Sequence, residues 1–139
     1  MMEGMSATSS MPKRPSDPLD LIDVDSLLSD EEKAIRAATR QVCADVVDPY
    51  VMQWYESGDL PVARELAKEF GKVGLLGMHL EGYGCAGTSA VAYGLACMEL
   101  EAVDSGIRSL VSVQGSLAMF AIWRFGTEEH KQEWLPKMA

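Results

Sequence analysis

Arg108 stands near one end of a largely apolar run, Glu99 to Met119, with Ser112 one helical turn further on and Glu101 and Asp104 shortly before it. An arginine stays protonated in a protein. If folding draws its guanidinium inward, the group must meet a carboxylate, several neutral acceptors or the anion of a ligand. Arg108, Ser112, Gly115 and Met119 recur at i, i+4, i+7 and i+11, which makes one stripe of small and polar side chains along a helix. Two readings stay open on spacing alone. One is a small-residue seam where two helices cross closely, with Arg108 paired to Asp104 or Glu101; the other is a ligand site headed by the arginine.

The remaining reactive residue types offer less. His79 and His130 each stand without a second ligand at helical spacing, so no metal is expected. Cys43, Cys85 and Cys97 are far apart and odd in number, which suits a reducing, cytoplasmic-type setting and no zinc or redox motif. Gly82-Tyr83-Gly84-Cys85-Ala86-Gly87 satisfies G-x-G-x-x-G, and a helical pattern follows it. A dinucleotide site also needs a buried strand just before the glycines, and Val73 to Leu80 is interrupted by Gly74 and Gly77. The stretch therefore reads as a flexible connection between helices.

The whole chain sets the frame for these residues. At 139 residues it is the size of one domain, and its net charge of -9 leaves no basic surface for nucleic acid. No apolar run reaches the length of a membrane span, since Arg108, Ser109, Ser112, Gln114 and Ser116 break the longest. A soluble protein is expected. Residues 1–18 are rich in Met, Ser and Pro without a signal-peptide core and read as a mobile, disordered tail; residues 19–139 form the domain.

The periodicities predict an all-α domain of about five helices. Leu19 to Leu28 reads as an extended arm. Ser29 and Glu32 form a capping box that starts a first helix carrying Ile35, Ala38, Val42 and Val46 and ending near Asp48. Tyr50 to Gly58 is a turn or a short helical extension. A second helix is capped by Asp59, tolerates Pro61 in its first turn, and buries Leu66, Phe70 and Val73. The third runs from Thr88 or Ser89 to Val103 and is apolar nearly all round, with Gly94 hinting at a close backbone approach. Glu99 and Glu101 near its C-terminal end call for a cation, and Arg108 is near in sequence. The fourth spans Gly106 to Phe125. After Gly126, Thr127-Glu128-Glu129 opens a fifth, whose Trp134 and Leu135 can close over the core.

Those motifs resemble a known family. Gly82 to Gly87, Ala92-Tyr93-Gly94-Leu95, Glu99-Leu100-Glu101, Val103-Asp104-Ser105-Gly106, Arg108-Ser109, Ser112-Val113-Gln114 and Leu135-Pro136 resemble the N-terminal helical domain of acyl-CoA dehydrogenases, most closely the glutaryl-type members. The resemblance covers about Pro18 to Ala139, and Gly82 to Gln114 is its specific part. An aromatic often precedes the arginine in glutaryl-type members, and here Ile107 does.

The resemblance implies a longer enzyme in which a β domain and a C-terminal helical bundle follow, with FAD bound between them and a neighbouring subunit. It implies an acyl-CoA substrate, α,β-dehydrogenation, decarboxylation if the enzyme is of glutaryl type, and an electron-transfer flavoprotein or similar acceptor. A homo-tetramer in a bacterial cytoplasm is expected, ahead of a mitochondrial matrix. By position, Arg108 matches the arginine that holds a distal substrate carboxylate, Ser109 and Ser112 match nearby substrate contacts, and Glu101 matches the acid that orients the arginine. The catalytic base and the flavin contacts fall outside this chain, so the chain alone is expected to be inactive and not to hold FAD. The alternative is a free-standing helical interaction module without catalysis, using an exposed apolar face for self-association.

Overall fold

The structure, a computed structural model, describes residues 22–58 and 63–139. The expected tail over 1–18, the first residues of the arm, and Asp59 and Pro61 at the start of the second helix lie outside the described residues.

Helices dominate, as the periodicities required. A 3-10 turn, Val24–Leu27, stands where an extended arm was expected, and Arg36 holds it by two hydrogen bonds to Asp25 at 2.7 and 3.0 Å. Helix α1, Asp30–Val46, opens with the full capping box: Ser29 accepts from the Glu32 amide and the Glu32 carboxylate accepts from the Ser29 amide. Such a cap stabilises a helix start by about 1 kcal/mol. The deepest α1 positions are Thr39 and Cys43, continued by Val47, while Ala38 is exposed. That buried edge therefore lies one residue on from the Ala38, Val42 and Val46 positions of the expected stripe.

Helix α2, Asp48–Ser57, takes Pro49 in its first turn and ends on Gly58 with φ 65°, so the segment after Val47 is a helix of its own. Helix α3, Ala63–Lys72, buries Leu66 and Phe70; the chain has left the helix by Val73, which is half exposed. Burying a side chain such as Phe70 contributes roughly 1.5–3 kcal/mol.

The Gly-rich stretch is a β-hairpin, not a flexible connection. Two-residue strands β1, Glu81–Gly82, and β2, Cys85–Ala86, pair antiparallel around Tyr83-Gly84. Both turn residues have positive φ, 55° and 86°, as a type I′ turn requires. Outside the pair, Trp123 donates its indole N–H to the Glu81 carbonyl at 3.0 Å, and the Tyr83 hydroxyl reaches the Glu128 carboxylate at 3.0 Å. The hairpin is thus tied to the last two helices.

Helix α4, Ala90–Val103, starts from Ser89, whose hydroxyl accepts from the Ala92 amide at 3.0 Å. It packs against α1, and Arg40 closes that contact with a two-point bond to Glu99, both contacts 2.8 Å. Ala92, Leu95, Ala96 and Leu100 are buried, but Val91 and Met98 are exposed and Gly94 faces open space. The expectation of burial all round, and of a close backbone at Gly94, does not hold.

The next helix runs without interruption from Ser105 to Phe125, in three windings: α5, Ser105–Ser112; a π-helical segment, Val113–Met119; and α6, Phe120–Phe125. The π winding coincides with a tight contact. A Cβ added to Gly115 would lie 3.1 Å from the Gly77 amide nitrogen, and Gly77 itself has φ 65°. At Gly115 the small-residue stripe therefore meets the loop before the hairpin. Helix α7, Glu128–Met138, starts on the Thr127 cap and buries Leu135 completely, with Trp134 left half exposed. No helix among the described residues is long and apolar enough to cross a membrane.

Candidate functional site

The turn between α4 and α5 builds the site. Asp104 caps α5 by accepting from the Ile107 amide at 2.9 Å, and the side-chain partner of Arg108 is Glu101 instead. Arg108 turns back across the junction and donates from Nε to the Glu101 carboxylate at 2.6 Å. One of its terminal nitrogens donates to the Ser112 hydroxyl at 3.3 Å, and that hydroxyl donates to the Ser109 carbonyl at 3.2 Å. The Arg108–Glu101 bond makes the guanidinium still harder to deprotonate, so the group is a fixed positive charge.

Two features distinguish this arginine from an ordinary surface ion pair. Its side chain keeps 35% exposure, and among the described residues its other terminal nitrogen meets no protein acceptor. Ser109 is half-buried and enters the site through its backbone carbonyl, which accepts from Ser112. A fork held at one edge by a carboxylate and open at the other can receive a second carboxylate in a two-point, charge-assisted contact. Side-chain bonds therefore bring Arg108, Glu101 and Ser112 together in one place, with Ser109 joined to them by its carbonyl. Glu99 is not among them, because Arg40 has taken it.

Sequence spacing missed what continues this site inward. Tyr93 and Cys97 precede Glu101 at i, i+4 and i+8 on α4, opposite Ser116, Ser112 and Arg108 on the neighbouring helix. Tyr93 and Ser116 join hydroxyls at 3.1 Å, and the His79 ring lies against Tyr93 with centroids 4.7 Å apart. The paired helical spacing of the two polar rows was the available signal. Nothing in the sequence announced His79, whose Nδ1 is buried without a partner. Burial holds the His79 imidazolium pKa below the usual histidine range.

Other chemistry is weak. All three cysteines are free, and burial pushes their thiols up, Cys43 to about 11, so none is primed as a nucleophile. No group of three His, Cys, Asp or Glu among the described residues could hold a metal ion. The glycine hairpin does not fit a pyrophosphate. The helix start that follows it already carries a carboxylate, because Ser89 donates to Glu32 at 2.9 Å, and an anion there would be repelled.

Residues 29–139 match one family model, that of the acyl-CoA dehydrogenase N-terminal domain. The chain belongs to that family. It is similar to the crystal structure of glutaryl-CoA dehydrogenase from Mycobacterium smegmatis, with 65% identity and a TM-score of 0.82 over 86% of this chain and 30% of that one. A second structure of a glutaryl-CoA dehydrogenase from Mycobacterium smegmatis, in complex with FADH2, aligns at 62% identity and a TM-score of 0.82, over 87% of this chain and 31% of that one. Among curated relatives, the short/branched chain specific acyl-CoA dehydrogenase of Bos taurus is 30% identical over 112 residues, 80% of this chain and 26% of the relative. The chain thus spans under a third of the proteins it resembles.

Proposed function

We propose that Arg108, Ser109 and Ser112, steadied by Glu101, clamp the distal carboxylate of a dicarboxylic acyl-CoA, of which glutaryl-CoA fits the resemblance best. The observation that carries this is the half-open fork: Nε is committed to Glu101 and one terminal nitrogen to Ser112, while the other terminal nitrogen meets no acceptor among the described residues. In this reading the chain is the substrate-end domain of an FAD-dependent acyl-CoA dehydrogenase. Glu101 fixes the guanidinium plane, and Ser112 accepts from one terminal nitrogen, so the free edge keeps a single orientation.

The oxidation itself, with decarboxylation in a glutaryl-type enzyme, belongs to segments that this chain does not include. In this reading the 139-residue chain by itself neither holds FAD nor turns over acyl-CoA. The complete enzyme passes its electrons to an electron-transfer flavoprotein or a similar acceptor, as a homo-tetramer in the cytoplasm. The exposed side chains Val91, Met98, Val113 and Leu117 lie on the two helices that form the site, where the other domains would cover them.

The test is Arg108→Met in the complete enzyme. The variant is expected to lose most of its affinity for a dicarboxylic acyl-CoA, by about two orders of magnitude as for one side of a charge-assisted pair, and little for butyryl-CoA. Equal loss for both would make Arg108 a structural residue.

A further inference from the structure

The inner end of the polar row carries a role that the arginine fork does not explain. Tyr93 is gripped on both sides: its ring lies against His79 at 4.7 Å, and its hydroxyl meets Ser116 at 3.1 Å. The His79 ring in turn lies close to Gly115, where an added Cβ would stand 3.2 Å from its Cε1. A tyrosine side chain has only two soft torsions, so a ring held this way acts as a spacer of fixed length between α4 and the neighbouring helix.

Ser116 lies within the π segment, and as the fourth residue after Ser112 it shares that residue's side of the helix, toward α4. The winding starts at the residue after Ser112, so any relaxation toward α geometry begins at the serine that receives Arg108. The Tyr93–Ser116 bond and the Arg108–Glu101 bond are thus the inner and outer ties of one seam.

We infer that Tyr93 is a positioning residue of the Arg108 site: its hydroxyl, bonded to Ser116, holds the π segment in the register that aims Ser112 and Arg108 at a single carboxylate. This rests on the carboxylate reading of Arg108. It assigns specificity to a side chain that does not touch the carboxylate.

The test is Tyr93→Phe in the complete enzyme, with Ser116→Ala removing the same bond from its other side. The readout is kcat/KM for a dicarboxylic acyl-CoA against a monocarboxylic acyl-CoA of equal chain length. Both variants are expected to lower the dicarboxylic value about fivefold, through KM, as befits one lost hydrogen bond, and to leave the monocarboxylic value within about twofold. Equal losses on both substrates, or no loss on either, overturn the role. Arg108→Met run in parallel separates the two ideas. If it discriminates between the substrates and Tyr93→Phe does not, only the Tyr93 role fails. If Arg108→Met itself fails to discriminate, both fall.

Discussion

Arg108 and Glu101 lie seven residues apart, on opposite sides of the Asp104 cap, and meet at 2.6 Å through Nε. That choice of nitrogen matters. A carboxylate on Nε leaves the edge formed by the two terminal nitrogens to Ser112 and the open side.

Glu101→Gln tests whether orientation or charge dominates. Removing a negative charge beside Arg108 would strengthen anion binding if net potential were decisive. Because Glu101 sets the guanidinium plane, we expect instead a KM for a dicarboxylic acyl-CoA raised about tenfold in the complete enzyme, with the monocarboxylic KM unchanged. Steady-state kinetics on the two substrates decides the sign.

Gly115 and Gly94 form a contrasting pair within the same layer. Gly115→Ala forces a methyl against the Gly77 backbone and is expected to destabilise the 139-residue chain by about 1–3 kcal/mol. Gly94→Ala adds a methyl in open space within α4 and is expected to stabilise by about 0.5–1 kcal/mol. Chemical denaturation of both variants checks this, and similar losses in the two would contradict the packing.

His79 predicts a pH window. Burial lowers its folded-state pKa, so the unfolded chain binds the proton more readily. The stability this contributes is present above about pH 6.5 and is lost as pH falls below that value. The carboxylates of Asp25, Glu32 and Glu128 have lowered pKa values, held down chiefly by Arg36, by the Ser29 amide and by Gln132 respectively. Their contributions persist until pH falls below about 4, so the two windows separate. Thermal melts between pH 7.5 and 5 should show a loss that His79→Phe, which keeps a ring against Tyr93, largely removes.

What the sequence disclosed was local. The Ser29 box, the Ser89 and Thr127 caps and the stop at Gly126 all formed, because a cap needs only residues within one turn of itself. The hairpin was hidden because Tyr83 occupies a positive-φ position where Asn or Gly gives the usual signal. The π winding was hidden because it goes with the Gly77 contact, far along the chain from Gly115. Glu99 and Arg40 are 59 residues apart, and no helical spacing relates them. In the site, Arg108 and Glu101 were legible as one of two possible pairings, since both lie near one helix turn. Tyr93 with Ser116, and His79 behind them, became visible only once two helices lay side by side.

The most direct measurement is a crystal structure of the complete enzyme with a non-oxidisable dicarboxylic acyl-CoA analogue. The clamp predicts the distal carboxylate within about 2.7–2.9 Å of an Arg108 terminal nitrogen, with Glu101 still on Nε. A carboxylate placed away from Arg108, with the guanidinium unchanged, would contradict it.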